Sequence, residues 1–257
     1  DVVFGGSGKD NVDAGSVAAG DVSRDVVVGD NGHADFDGNG FLALLYTTVS
    51  ATGGNDTLGL GGGDNVAFGG VGNDAITGGN GNDIIAGDNG SAAFDGSTHV
   101  LIDVHTTNPA DAGTDTINAA SGNNIVLGGT ANDSITTGGG ADVALGDNGI
   151  ATFYSTGVLR NIETSDSANG GDDTINTGTG PDVVFGGSSK DTVDAGSFIA
   201  GDNSRDVVVG DNGHADFDTG GFLALIYTMV PATGDNDTLS LGGGNNVAFG
   251  GVGNDSI

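Results

Sequence analysis

A ruler of nine residues runs through the chain. Stepping by nine from Asp74 in both directions gives Asp56, Asn65, Asp74, Asp83 and Ala92, and the next block gives Asp115, Asn124, Asp133, Asp142 and Ala151. A third block gives Asp173, Asp182 and Asp191, then, after a six-residue insertion, Asp206 and Ala215. Asp1, Asp10, Asp25 and Ala34 stand before the first block, and Asp237, Asn246 and Asp255 after the last. Of these 22 phrases, 15 carry Asp at the ruled position, three Asn and four Ala, and all 22 have an apolar residue two places further on. Examples are Val12, Ile76, Ile117, Ile135 and Val184, with Phe36, Phe94, Phe153 and Phe217 in the Ala phrases.

A period of nine cannot build an amphipathic helix, whose apolar stripe returns every three to four residues. It suits short strands joined by tight turns. The residues after the Asp, as in "DVVVG", "DTIN" and "DAIT", are β-branched and strand-forming. The glycines before them allow positive φ and close backbone approach. Each phrase therefore predicts a turn and a short strand, and two phrases make one coil. Stacked coils pair in parallel about 4.8 Å apart, and one inward apolar residue per phrase fills a thin core. The fold class expected is all-β: a parallel β-roll or β-solenoid of nonapeptide half-coils.

Charge narrows the chemistry. A formal charge of −30, with only five Lys and Arg, excludes nucleic acid as a partner, because phosphates would be repelled. Glu163 is the single Glu among the 35 acidic residues, and so strong a preference for the shorter carboxylate points to a role in which reach matters, as around a hard cation. Cys is absent, which rules out a disulfide framework. No apolar run reaches membrane-spanning length, and no secretory leader is visible.

The phrases "GGVGNDAIT" (residues 69–77) and "GGNGNDIIA" (residues 78–86), with "GGSGKDNVD" at 5–13 and "GGVGNDSI" at 250–257, resemble the RTX nonapeptide GGxGxDxUx of haemolysin-type calcium-binding proteins. The resemblance implies Ca2+ held between glycine-rich turns of successive coils, with the sixth-position carboxylate and turn carbonyls as ligands, since Ca2+ takes six to eight oxygens. Carried over residue by residue, it pairs Asp56 with Asp74, Asp115 with Asp133, Asp173 with Asp191 and Asp237 with Asp255. On the opposite edge it pairs Asn65 with Asp83 and Asn124 with Asp142, where the neutral amides predict weaker sites. Asp10 and Asp182 occupy the same phrase position. "GGTANDSIT" and "SSKDTVDAG" depart from the glycine pattern.

The Ala phrases begin "GDNG", which moves the carboxylate to Asp30, Asp88, Asp147 and Asp211, and each is followed by a break in the ruler. Those four Asp residues read either as further metal ligands or as polar turn residues. The breaks hold related excursions, "GFLALLYTTV", "HVLIDVHTTN", "GVLRNIETSD" and "GFLALIYTMV", expected to be extra strands or hairpins on one side of the roll about every 60 residues. Their apolar side chains (Phe41, Leu42, Leu45, Tyr46 and equivalents) suit either a local cap on the core or a stripe for lateral self-association. Units of 1–64, 65–123, 124–181 and 182–245, with a partial one at 246–257, form one continuous array. Residues 1–76 and 182–257 align without gaps at an offset of 181 and differ at 14 positions.

No catalytic constellation stands out, and an enzyme is not expected. The four His have no zinc spacing, "GGSGKD" fails the phosphate-loop pattern, and "DFDGNG" begins like an EF-hand loop but has Tyr46 where its Glu should be. The Thr of "TIN" recurs too rarely for a Thr ladder on every coil. The function expected is a calcium-stiffened segment of a giant bacterial adhesin, fibre or surface-layer protein, type I secreted and located outside the cell or on its surface. The alternative is the C-terminal secretion domain of an exported enzyme or toxin, and a third reading has the excursions bind a surface glycan. Because the chain opens part-way through a phrase and stops within another, it is expected to be a window on a longer repeat polymer.

Overall fold

The computed structural model describes residues 1–15, 21–48, 51–111, 113–196, 202–230 and 233–257. Parts of the two six-residue insertions, and Val49 at the end of the first excursion, lie outside them. Among the described residues every regular element is a strand, and the strands form three sheets. Nine strands, from Val2–Phe4 to Val247–Phe249, make a parallel middle sheet. Eight, from Asn11–Asp13 to Thr238–Leu241, make a parallel face sheet. The chain alternates between these two, so the expected parallel roll is present. Its register follows the ruler: Leu58 pairs with Ile76 on the face sheet and Ala67 with Ile85 on the middle sheet, each one 18-residue coil apart.

The excursions are β-hairpins. Gly32–Phe36 turns back as Leu42–Thr47, Gly90–Phe94 as Leu101–Thr106, Gly149–Phe153 as Leu159–Thr164, and Gly213–Phe217 as Leu223–Thr228. Neighbouring hairpins also pair, through Ala92 with Leu45, Val104 with Ala151 and Ile162 with Ala215, giving an eight-stranded antiparallel third sheet. A hairpin enters every second coil. This is why Ile76 next pairs with Ile117, 41 residues on.

The third sheet corrects the expectation of a single thin core. Strands of the face sheet bury only their central residue (Ile76, Ile117, Ile135, Ile175) and turn their flanks to solvent. Middle-sheet strands are buried on both sides. Ala67, Ile85, Val126, Ala144 and Val184 meet the face sheet in one core, while Val66, Phe68, Leu127, Leu145 and Phe185 belong to a second core built with the hairpins. That is the burial expected of strands covered on both faces, and it accounts for their continuous apolar runs.

Two further readings change. Phe94, Phe153 and Phe217 do not point into the roll: the Ala phrases are first strands of hairpins, and these rings lie in the second core, with Phe36 left exposed on the first hairpin. Leu42 and Leu45 are buried in that same core, so they cap it and cannot reach a neighbouring chain. Phe41 stays exposed and Tyr46 half-buried, as do Phe222 and Tyr227 on the last hairpin, both exposed. The second core is expected to carry much of the stability. Phe185→Ala, at a ring with no exposed surface, should cost about 3–5 kcal/mol in urea unfolding of the calcium-loaded chain. Phe222→Ala should stay within about 0.5 kcal/mol; equal effects would show that the hairpins do not seal the middle sheet.

Candidate metal centres

The uninterrupted first-edge turns repeat one motif. In "GGVGND" (residues 69–74) Gly70 and Gly72 adopt φ of 111° and 116°, where a side chain is strained. Ala131 and Ser189 accept that strain at the fourth position, with φ of 75° and 77°. The conformation lines up backbone groups across the coils, and sixth-position side chains lace them together. On the first edge, where the chain passes from middle to face sheet, the N–H of Asp10 donates to Asp56 Oδ1, Asp56 to Asp74, Asp74 to Asp115 and Asp115 to Asp133, at 2.7–2.8 Å. The ladder continues through Asp173, Asp191 and Asp237 to Asp255 at 2.7–3.1 Å. The four pairs expected on this edge are therefore neighbours in one unbroken file.

The second edge carries the same ladder with mixed residues. Asp25 N–H donates to Asn65 Oδ1, Asn65 to Asp83, Asp83 to Asn124 and Asn124 to Asp142, at 2.7–3.0 Å. Asp142, Asp182, Asp206 and Asn246 extend it. Asp25, Asp206 and Asn246, which stand at the ruled position but are not among the expected ligands, take their places in this ladder. Fifth-position residues lace the turns in the opposite sense: Asn73 N–H donates to Asn55 Oδ1, and Asn82 N–H to Asp64 Oδ1.

Each ladder bond uses one carboxylate oxygen. The other, Oδ2, is buried without a hydrogen-bond partner in Asp10, Asp56, Asp74, Asp115, Asp133, Asp173, Asp191 and Asp237. A buried polar atom left unpaired is costly, and a buried charge far more so. The space beside it is lined by oxygen. A Cβ built on Gly69 would overlap both Asp74 Oδ2 and the Gly87 carbonyl oxygen, and one on Gly128 would overlap Asp133 Oδ2 and the Gly146 carbonyl. Among the described residues no three carboxylate or imidazole groups converge on one point. A cation here would thus take one or two carboxylates and complete its shell from turn carbonyls, an all-oxygen donor set that fits Ca2+.

Electrostatics agrees with that need. Burial, followed by the charges of Asp115 and Asp56, lifts Asp74 from its ordinary 3.8 to about 9. Burial, then Asp115 and Asp173, lifts Asp133 to about 11. On the second edge burial raises Asp83 and Asp142 only to about 6. Carboxylates so placed accept either a proton or a cation.

The GDNG aspartates accept backbone N–H groups where the hairpins enter. The hairpin is inserted into a first-edge turn, splitting "GD" at residues 87–88 from "GTD" at 113–115. Asp88 Oδ1 accepts from Gly113 N–H at 3.0 Å, closing the split, and Oδ2 accepts from Thr130 N–H of the next coil at 2.7 Å. Asp147 does the same with Gly171 and Ser188. Asp30 and Asp211 each take a next-coil N–H, from Val71 and Val252. With backbone donors on both oxygens, Asp88 and Asp147 staple the split turn, whereas Oδ1 of Asp30 and Asp211 is buried without a partner. The EF-hand-like stretch is also accounted for: Asp37 Oδ1 caps the N–H groups of Asn39 and Phe41 at the hairpin tip. The His side chains lie on the hairpins beside carboxylates, as His214 does with Glu163 and Asp216 and His105 with Asp103.

The model of one family, the RTX calcium-binding nonapeptide repeat, matches residues 1–18, 48–74, 59–91, 110–144, 120–152, 167–199 and 232–257, together more than half of the chain. No match to a curated protein was found.

Two outcomes follow from the ladders. A carboxylate whose folded-state pKa is raised contributes its stability below the ordinary value and loses it as pH climbs toward the folded one. Without calcium the fold should therefore weaken as pH rises from about 4 to about 8, and calcium should remove most of that dependence. Thermal melts in chelator across this range check it, and a flat profile would contradict the burial of these groups. Secondly, Asp74→Ala should reduce calcium binding more than Asn65→Ala, because only the first removes a charged oxygen; calorimetric titration compares the two.

Proposed function

The chain belongs to the RTX calcium-binding nonapeptide-repeat family, and on that premise we propose that it is a structural segment of a long extracellular bacterial adhesin, fibre or surface-layer protein, folded and stiffened by Ca2+. The observation that carries this reading is the first-edge file of buried, unpaired carboxylate oxygens, which continues from coil to coil. Calcium, when bound, would supply the positive charge that these groups lack and take their oxygens and the turn carbonyls as ligands. The chain's own part is to hold the oxygens in register: Oδ1 fixes each carboxylate to the preceding coil, and the glycines keep side chains out of the gap between carboxylate and carbonyl.

Nothing in this arrangement calls for catalysis, and the reading assigns none. Its prominent residues serve stacking, the ladders or the hairpins. RTX repeats are typical of secreted proteins, and a calcium-rich exterior would let the array fold after export. Phe41, Tyr46, Phe222 and Tyr227, on the outer side of the hairpins, are the part of the excursion stripe left for contact with neighbouring fibres or a glycan.

At about pH 8, the top of the range in which the calcium-free fold weakens, chelation of the purified chain should abolish its strand circular dichroism, and calcium at about 1 mM, the weak extracellular end of the affinity range, should restore it. A spectrum indifferent to chelator would sink the calcium requirement. The intact mass of the source protein tests the fibre itself. A species several times larger than 24.8 kDa and built mainly of such repeats supports it, whereas one catalytic domain joined to a short array would favour the secretion-domain alternative.

A further inference from the structure

The two edges of the roll differ at the residue that opens each turn. On the first edge this residue is glycine in every described case, from Gly5 through Gly69 and Gly128 to Gly250. At each of these positions an added Cβ would overlap Oδ2 of that turn's Asp, and at all but Gly250 it would also meet the carbonyl oxygen of the opening glycine one coil on. The carboxylate and the carbonyl therefore border one gap, kept clear by the missing side chain.

On the second edge the corresponding positions hold Leu60, Ala119, Thr137, Thr177 and Leu241. The first four are fully buried, and Leu60 and Ala119 belong to the core of the roll. These side chains stand where the first edge is open. Their neighbours also supply internal donors. Thr137 Oγ1 donates to Asp142 Oδ2 and Asn124 N–H to its Oδ1, each at 2.7 Å, so that carboxylate is satisfied on both oxygens. Asn124 Nδ2 donates to the Gly122 carbonyl at 3.1 Å, and Asn246 Nδ2 to the Gly242 carbonyl at 3.1 Å, engaging turn oxygens that a cation would otherwise use. Gly78 opens another of these turns, and a Cβ there would overlap the unpaired Oδ2 of Asp83. Oδ2 of Asp25, Asp182 and Asp206 is also buried without a partner; Asp182 has the Thr177 hydroxyl beside it, and the turns before Asp25 and Asp206 run partly outside the described residues.

We infer that calcium along the regular turns is confined to a single file on the first edge, joined by one ion at the Gly78–Asp83 turn, and that the second-edge turns opened by Leu60, Ala119, Thr137, Thr177 and Leu241 are closed by side chains of their own. This rests on the reading of the first-edge turns as calcium sites and says which of the two edges uses them. One edge is then fastened by calcium, and the other by hydroxyl, amide and methyl groups that do not depend on it.

The test counts calcium bound to the full chain, by equilibrium dialysis with elemental analysis, in the parent and three variants. Asp133→Asn keeps the Oδ1 acceptor, as Asn124 does on the other edge, so it should stay folded by circular dichroism and lose about one ion per chain. Asp142→Asn should leave the count unchanged. Thr137→Gly opens a second-edge turn and should gain about one ion per chain, a change that misfolding cannot imitate. Equal losses in the two Asn variants, or no gain with Thr137→Gly, would overturn the one-edge assignment while leaving the calcium-folded reading in place. A parent chain that binds no calcium at all would overturn both.

Discussion

The hydrogen bond from a sixth-position N–H to the sixth-position Oδ1 one coil on is what the rest of the structure depends on. It is made at the step where the chain leaves a turn and enters a strand, so it sets the height of every coil against the next. Because it must reach across one coil spacing, the side chain has to be short. Asp fits and Asn fits, while the extra methylene of Glu would carry the oxygen past its donor; this accounts for the 15 Asp and three Asn, and no Glu, at the ruled position. The same bond draws the carboxylate out of water, and a folded array of such groups then requires counter-charge. Calcium binding in this molecule is thus a consequence of how its coils are fastened.

The ladders were legible in the sequence because they obey a single arithmetic rule: residues nine apart fall on opposite edges, and residues eighteen apart meet. The third sheet was not legible, because the ruler marks just one inward residue per phrase. The clue lay in the residues beside it. After the ruled residue, "NVAF" and "DIIA" have three apolar residues in a row, whereas in "DAIT" and "DTIN" only the middle one is a large apolar residue, and this distinguishes strands covered on both faces from strands covered on one. Phe94 shows the limit of frame-keeping. It holds the same phrase position as Ile76, yet its strand belongs to a different sheet, and the sheet decides which way a side chain points. Asp88 was recognised as displaced from the ruled position, but its partners Gly113 and Thr130 lie 25 and 42 residues away, a closure that no local pattern announces.

The split turn explains how a roll with strict coil spacing accommodates hairpins. The interruption falls between the second and fourth positions of a turn, where the chain is already at the rim, and Asp88 or Asp147 rejoins the two halves through their backbone. The parallel sheets then continue whether 40, 41 or 46 residues separate successive face-sheet strands, as they do from Ser134 to Thr174, from Ala75 to Thr116 and from Thr192 to Thr238. In return, the hairpins cover the outer side of the middle sheet with Leu45, Val104 and Ile162 and give the molecule its second core.

In all three sheets the strands lie across the direction of stacking, so their backbone hydrogen bonds point along it. A pull applied along the stack loads those bonds in series, one coil after another, and not as a block sheared at once. The first coil to give way would release its slack while the coils behind it remain closed, since each is fastened only to its neighbours. Under tension such a rod would lengthen in steps and could reclose in the same order, behaving as a tether that absorbs shocks.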